Sequence, residues 1–442
     1  MTGPVPTPLG GRSSLGVPTT LGGPTAFGVP TSPATAFKRS SLAAWPLRRL
    51  LGRLLRSLSV GSIAIDLPDG ARVVGHGPAA GPHVALVVHR WRALARLALG
   101  GDIGLAESYR DGDWSTPDLA SFLEFGIRNE AGWGAALDAA RPLRWLFRAL
   151  HLARANSRRG SRQNIAFHYD LGNDFYRHWL DADLIYSSGM YSRADETLEA
   201  AQAAKLARIR QLLRLDELSD DARLLEIGCG WGALAIDLAG RHPLHVTGLT
   251  LSAEQLAHAR RRVDAEGLTG RVDLRLEDYR DATGTYERIV SIEMLEAVGE
   301  RYWPVYFETL RQRLAPGGIA VLQVISIADA QFDSYRRGAD FIQRFIFPGG
   351  MLPSPTALRQ AAEAAGLTLD TATTFGASYA ATLVEWRRRF LCARSSIAGL
   401  GFDERFLRLW EYYLCYCEAG FRSGRVDVGL YTVGHRPEPA AD

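Results

Sequence analysis

The stretch LLEIGCGWGALAIDLAG, residues 224–240, passes from an apolar run into a glycine-rich turn and then into a helical pattern. Gly228, Gly230 and Gly232 lack the Cβ that would hold a ligand away from the backbone, and through Ala233 the stretch also fits the looser G-x-G-x-x-A dinucleotide pattern. A nicotinamide or flavin enzyme places an acid about 20 positions further on, at the end of the second strand, to hold a ribose hydroxyl. Thr250 stands there, and the next acid, Glu254, already falls in the following helix. The redox reading is therefore disfavoured. Glu226, two residues before the first glycine, and the pair Glu277 and Asp278 after the third strand suit another adenosine-bearing ligand, S-adenosylmethionine.

Around this turn β-rich runs alternate with helical ones. RLLEIG, LHVTGLT, VDLRLED, RIVSIEM and IAVLQVIS read as strands, with SAEQLAHARRRVDAEG as one of the helices between them. Such alternation predicts a mostly parallel sheet wrapped by helices. LTLDTATTF and VGLYTVGH are expected to close it with an antiparallel pair. The predicted fold is thus α/β, a seven-stranded Rossmann-like sheet of the class I methyltransferase type, preceded by a smaller α+β domain.

The chain has 442 residues, 47% apolar and 22% charged, enough for more than one core and ordinary for a globular protein. Its formal charge is only +3, so attraction to an acidic surface must be local, and nothing suggests a nucleic-acid partner. Four cysteines give no disulfide framework, and the lone C-x-C at Cys415 and Cys417 lacks a second pair at ligand spacing, so no metal site is expected. No apolar run reaches the ~18 residues of a membrane span, and no signal peptide is evident. The expected place is the cytoplasm, with peripheral attachment to the inner face of the membrane.

Residues 1–40, rich in Gly, Pro, Ser and Thr, read as a disordered tail. WPLRRLLGRLLRSL, residues 45–58, repeats Leu47, Leu50, Leu51, Leu54, Leu55 and Leu58 at helical spacing, with Arg48, Arg49, Arg53 and Arg56 between them. Such a helix suits an anionic lipid surface, or docks on the next domain with its basic face solvated. An N-terminal domain is expected over 41–140, with strands at SIAIDL and HVALVV, then a basic linker over 141–163 and the main domain over 164–436.

FHYDLGNDFYRHWLDADLIYSS, LLEIGCGWG, GLTLSAEQ, LEDYRD, IVSIEMLEAVGE, FIFPGGMLPS, FGASY and YCEAGFR follow one another from about residue 164 to 433. In this order they resemble the cyclopropane-fatty-acyl-phospholipid synthase family, and GDIGLAESYRDGDW resembles the N-terminal domain of its longer members. The resemblance implies S-adenosylmethionine-dependent alkylation of the double bond of an unsaturated acyl chain in a phospholipid at an anionic membrane surface, with a homodimer left open. It implies that Tyr186 and Ser187 cover the methionine end of the cofactor above Gly228–Gly232. It further places Thr250, Leu251 and Gln255 at the ribose and adenine, and Glu277 at the adenine edge. Gly232 could equally serve helix packing, and Leu251 the core.

The chemistry implied is methyl transfer to a weakly nucleophilic alkene, leaving a carbocation, followed by loss of a proton from the new methyl to close a cyclopropane. In the family a bound bicarbonate is the base, and Glu296, Ile325 and Tyr379 match positions around it. Three departures stand out. Ser188 replaces a frequent cysteine, Ala297 the histidine beside Glu296, and Gln323 the anion-site histidine, so hydrogen-bonding capacity is kept while a titratable imidazole is lost. Cys417 matches a cysteine once taken as catalytic, but its aromatic-rich helix suits a buried structural thiol. Glu296 is the acid the resemblance puts closest to the chemistry. The alternative products are methyl-branched or methylated unsaturated chains, and a non-catalytic lipid-binding relative and a dehydrogenase are the readings from other classes.

Overall fold

The computed structural model describes residues 45–137 and 171–437; the expected tail and linker lie outside them. Eleven strands form two sheets among these residues. β1 (Val60–Asp66), β2 (Arg72–His76), β3 (Ala79–Val88) and β4 (Trp114–Ser115) make a four-stranded sheet in the order β2-β1-β3-β4. β5 (Arg223–Ile227), β6 (His245–Thr250), β7 (Val272–Leu276), β8 (Tyr286–Ile292), β9 (Leu314–Ile327), β10 (Leu367–Thr374) and β11 (Val426–His435) make a seven-stranded sheet. Its order is β10-β11-β9-β8-β5-β6-β7.

β5 to β9 run parallel, and β11 is antiparallel to both β9 and β10, so the expected closing pair is present. The apolar runs are continuous because helices cover both faces: Leu224, Leu225 and Ile227 of β5 are all buried. β9 begins at Leu314, five residues before the expected IAVLQVIS run. Parallel strands need crossover helices, and Ser252 shows how one starts. Its hydroxyl accepts from the Gln255 amide at 3.2 Å and caps the helix Ala253–Ala265.

The basic helix Trp45–Arg56 is docked. Leu51 and Leu54 are buried, Trp133 donates from Nε1 to the Leu54 carbonyl at 3.1 Å, and Arg48 pairs with Asp69. Arg49, Arg53 and Arg56 face solvent, so its leucines serve the core and its arginines the surface. In the segment after β3, Asp113 is fully buried and accepts from Arg90 at 3.0 Å and Arg92 at 2.7 Å.

The C-terminal helix Glu404–Arg422 joins the two parts. Arg405 pairs with Asp111 at 2.7 Å, Arg408 donates to the Tyr109 carbonyl at 2.7 Å and lies over its ring, and Arg425, just beyond, pairs with Glu130. One apolar core accordingly runs from Ile63 and Trp114 into Trp410 and Tyr412.

Candidate active site

A cavity of about 370 Å³ opens at the carboxyl ends of β5, β6 and β8, where ligands of open α/β sheets bind. Its wall includes Glu226, Gly228, Gly230, Thr250, Leu251, Gln255 and Glu277, together with Tyr186 and Ser187. Most of the remaining lining is apolar, from residues such as Ile325, Ile342, Phe347, Met351 and Leu383. Asp102 and Ile127, from the helices around the four-stranded sheet, complete it.

The glycine turn is shaped by its backbone. Gly228 and Gly230 have φ of 87° and 52°, and beyond the adjacent residues Cys229 and Trp231 no protein atom lies within 4 Å of where a Cβ on Gly230 would stand. Gly232 serves packing instead. It is absent from the cavity wall, and its φ of 85° brings its α-carbon against Ala259, whose Cβ lies 3.0 Å from an added Cβ. Asn173 accepts from Trp231 Nε1 at 2.6 Å, which ties the GNDFY segment to the turn.

Glu226 is buried behind the turn with Oε2 unpartnered, and burial pushes its carboxyl up to about 8. A buried acid with one carboxylate oxygen left unpartnered beside a glycine turn fits the cationic ammonium of a bound aminoacyl group. Thr250 donates to Gln255 Oε1 at 2.8 Å, and Glu277 lines the cavity 3.7 Å from Arg275. Asp278 departs from the expectation of cofactor contact. Its carboxylate accepts from Arg280 at 2.5 and 2.8 Å and caps the following turn, and it is not on the cavity wall.

The residues expected around an anion do converge, but on a carboxylate of the chain itself. Glu293, at the end of β8, accepts through Oε1 from the Ser188 amide at 3.0 Å and from Gln323 Nε2 at 2.7 Å. Through Oε2 it accepts from the Tyr379 hydroxyl at 2.7 Å. Ser188 and Gln323 do not line the cavity and stand behind Glu293, which does. Glu296 accepts the Ile325 amide at 2.5 Å through Oε1 and leaves Oε2 buried and unpartnered.

Burial pushes both acids up. The nearby Glu293 charge raises Glu296 further, to about 8, whereas Tyr379, Ser188, Lys205 and Gln323 pull Glu293 back down. Lys205, fully buried, donates to Ser187 Oγ at 2.6 Å, and burial lowers its ammonium to about 8 against the opposing pull of Glu293 and Asp181. Cys417 lines the cavity, but burial raises its thiol far above the usual range, which suits packing better than nucleophilic work.

Sequence reading missed Glu293 and Lys205. Lys205 lies in the buried stripe Leu198, Ala201, Gln202, Ile209 and Leu213 of its helix, where a cation breaks the apolar pattern. Glu293 lies within IVSIEMLEAVGE, but its aim depends on a left-handed φ of 48° that no residue pattern announces.

The sheet order, glycine turn and cavity define a class I S-adenosylmethionine-dependent methyltransferase. The chain belongs to the mycolic acid cyclopropane synthetase family, whose model matches residues 156–430. It is 41% identical over 364 residues to the tuberculostearic acid methyltransferase UfaA1 of Mycobacterium tuberculosis, covering 79% of this chain and 83% of the relative. It is 36% identical over 345 residues to the cyclopropane-fatty-acyl-phospholipid synthase of Escherichia coli, covering 76% and 84%. The mycolic acid cyclopropane synthase CmaA1, solved with S-adenosylhomocysteine (SAH) and CTAB, superimposes with a TM-score of 0.57 at 30% identity, over 62% of this chain and 97% of that one. The enzyme is therefore an S-adenosylmethionine-dependent methyltransferase of the lipid-modifying kind. Among the described residues no helix is long and apolar enough to cross a membrane.

Proposed function

We propose that the enzyme methylates a double-bond carbon of an unsaturated fatty acyl chain carried by a phospholipid, and that the product is a methylene-branched chain. One observation carries the reading: a mostly apolar cavity runs from the glycine turn past the Glu293 and Glu296 carboxylates, so an acyl chain and the donor's methyl share one dry space. When bound, S-adenosylmethionine supplies an electrophilic methyl. Glu226, Thr250, Gln255 and Glu277 hold its polar ends, while Tyr186 and Ser187 cover it. The apolar walls exclude water that would otherwise quench a carbocation on the chain. Glu293 and Glu296 place negative charge, or a polar oxygen, beside that cation.

Branching is preferred over ring closure because the likeness to the tuberculostearic acid methyltransferase, at 41% identity over 79% of the chain, is the stronger of the two. Ring closure is the second reading, favoured by the likeness to the Escherichia coli synthase. Both products add one CH2 and keep one degree of unsaturation, and a saturated methyl branch needs a further reductase. The exposed Arg49, Arg53 and Arg56 support peripheral attachment to an anionic bilayer.

The test is proton NMR of phospholipids treated with the purified enzyme and S-adenosylmethionine. Vinylidene protons are expected. Ring protons would transfer the assignment to cyclopropane formation, and unaltered lipid across unsaturated phospholipids would end the acyl reading.

A further inference from the structure

The cradle expected to bind a free anion is already filled. Of the residues expected around bicarbonate, Gln323, Tyr379 and Ser188 all end on Glu293, at 2.7 to 3.0 Å, Ser188 through its amide because its hydroxyl donates to the Gly189 carbonyl, and the Ile325 amide ends on Glu296. Bicarbonate and a carboxylate share the planar O–C–O group that such donors recognise. Glu293 is also held with φ of 48°, a left-handed conformation costly for a side chain with a Cβ, and its amide is fixed by the Gln323 carbonyl at 2.8 Å. That conformation turns the carboxylate off the strand end and into the cavity wall, where Glu296 and Tyr379 also stand.

We propose that Glu293 is the built-in general base of this enzyme and does the work of an external bicarbonate. The inference rests on the acyl-methylation reading. After the methyl has bonded to one alkene carbon, the acyl chain carries a cation. A 1,2-hydride shift brings the positive centre onto the methyl-bearing carbon, a Glu293 oxygen then takes a proton from the new methyl group, and the C–H electron pair becomes the C=CH2 bond. Without the shift, the same methyl C–H pair becomes the new C–C bond and a ring closes. The proton ends on Glu293, and the substrate has gained CH3⁺ and lost H⁺, a net CH2. Tyr379 and Gln323 are positioning residues, since they orient the carboxylate through hydrogen bonds.

The test begins with the parent enzyme in buffer stripped of carbon dioxide, with SAH affinity measured alongside turnover. Turnover is expected to be unchanged by stripping and by added bicarbonate. Glu293→Gln keeps the shape and removes the base; it is expected to lose roughly 100-fold or more in kcat while binding SAH as the parent does. Glu293→Gly removes the side chain at a backbone conformation that suits glycine, and its lost turnover is expected to return in part with added bicarbonate or formate. A parent that needs bicarbonate, or a Glu293→Gln variant with near-parental kcat, would overturn the proposal. So would a folded, SAH-binding Glu293→Gly variant that neither anion rescues. A parent that binds SAH but alters no unsaturated phospholipid would instead remove the acyl reading on which the inference stands.

Discussion

The donor side of the cavity centres on one run of chain, with Glu226, Gly228 and Gly230 within five residues, Thr250 and Glu277 added from the ends of the next two strands and Gln255 from the helix between them, whereas the carboxylate side gathers Ser188, Glu293, Glu296, Gln323, Ile325 and Tyr379 from across the fold. The first side presents backbone and open space to its ligand. The second presents side chains that hydrogen-bond one another and the Ser188 amide. The donor site is thus centred on one turn and the chemistry is gathered from separate elements, and substitutions on the two sides should separate affinity from turnover.

The largest separation is expected within the carboxylate side. Tyr379→Phe removes a hydrogen bond to a charged acceptor, worth about 1.5–3 kcal/mol, so kcat should fall roughly 10- to 100-fold with SAH affinity intact. Glu296→Gln should cost much less, about fivefold, because a largely neutral acid that accepts one amide is well imitated by an amide. If Glu296→Gln proved the more damaging of the two, Glu296 rather than Glu293 would be the group that meets the cation.

The donor side is tested by pH. Glu226 is held neutral up to about pH 8 without ligand, and a bound ammonium favours its ionised form. SAH should therefore bind more weakly as pH falls below about 8, with proton release on binding detectable by calorimetry in buffers of different ionisation enthalpy. Binding that does not vary between pH 6 and about 8 would remove Glu226 from the ammonium site. The same group has a stability sign. Its folded pKa lies above its unfolded value, so the ligand-free protein binds the proton more tightly than the unfolded chain, and Glu226 stabilises least once pH has risen from about 4.5 through 8.

The smallest effect concerns the surface. Replacing Arg49, Arg53 and Arg56 with Gln should weaken sedimentation with anionic vesicles at low salt, each arginine contributing up to about 1 kcal/mol, without lowering thermal stability. Arg48 is left intact because Asp69 uses it in the fold. Unchanged sedimentation would leave this helix a purely structural role.

Legibility in the sequence follows the same divide. The strand runs and the glycine turn could be read because apolar periodicity and missing Cβ atoms are local properties, and the antiparallel closing pair was expected for the same reason. Gly232, for which helix packing was an open alternative, and Asp278 lie off the cavity wall, next to residues that do face it. Gly232 turns to Ala259 and Asp278 to Arg280. Ser188, Gln323 and Tyr379 were expected around an anion, but that Glu293 is the anion depends on one backbone dihedral and on three hydrogen bonds closed by tertiary packing. The docking of the basic helix was one of two readings the sequence left open, since the same leucine stripe would serve a core or a bilayer, and its buried Leu51 and Leu54 bear out the docked one.

Asp102 and Ile127 reach the cavity wall from the helices of the four-stranded sheet, while the salt bridges of Arg405 and Arg425 hold those helices against the C-terminal helix. Occupancy of the cavity and the hold of that joint are then linked: a ligand that touches both units stabilises their contact against local opening by the difference between its affinities for the joined and the parted units. The smaller unit is in this sense a gauge of the larger one, and its exchange of amide hydrogens should slow when an acyl chain is in place.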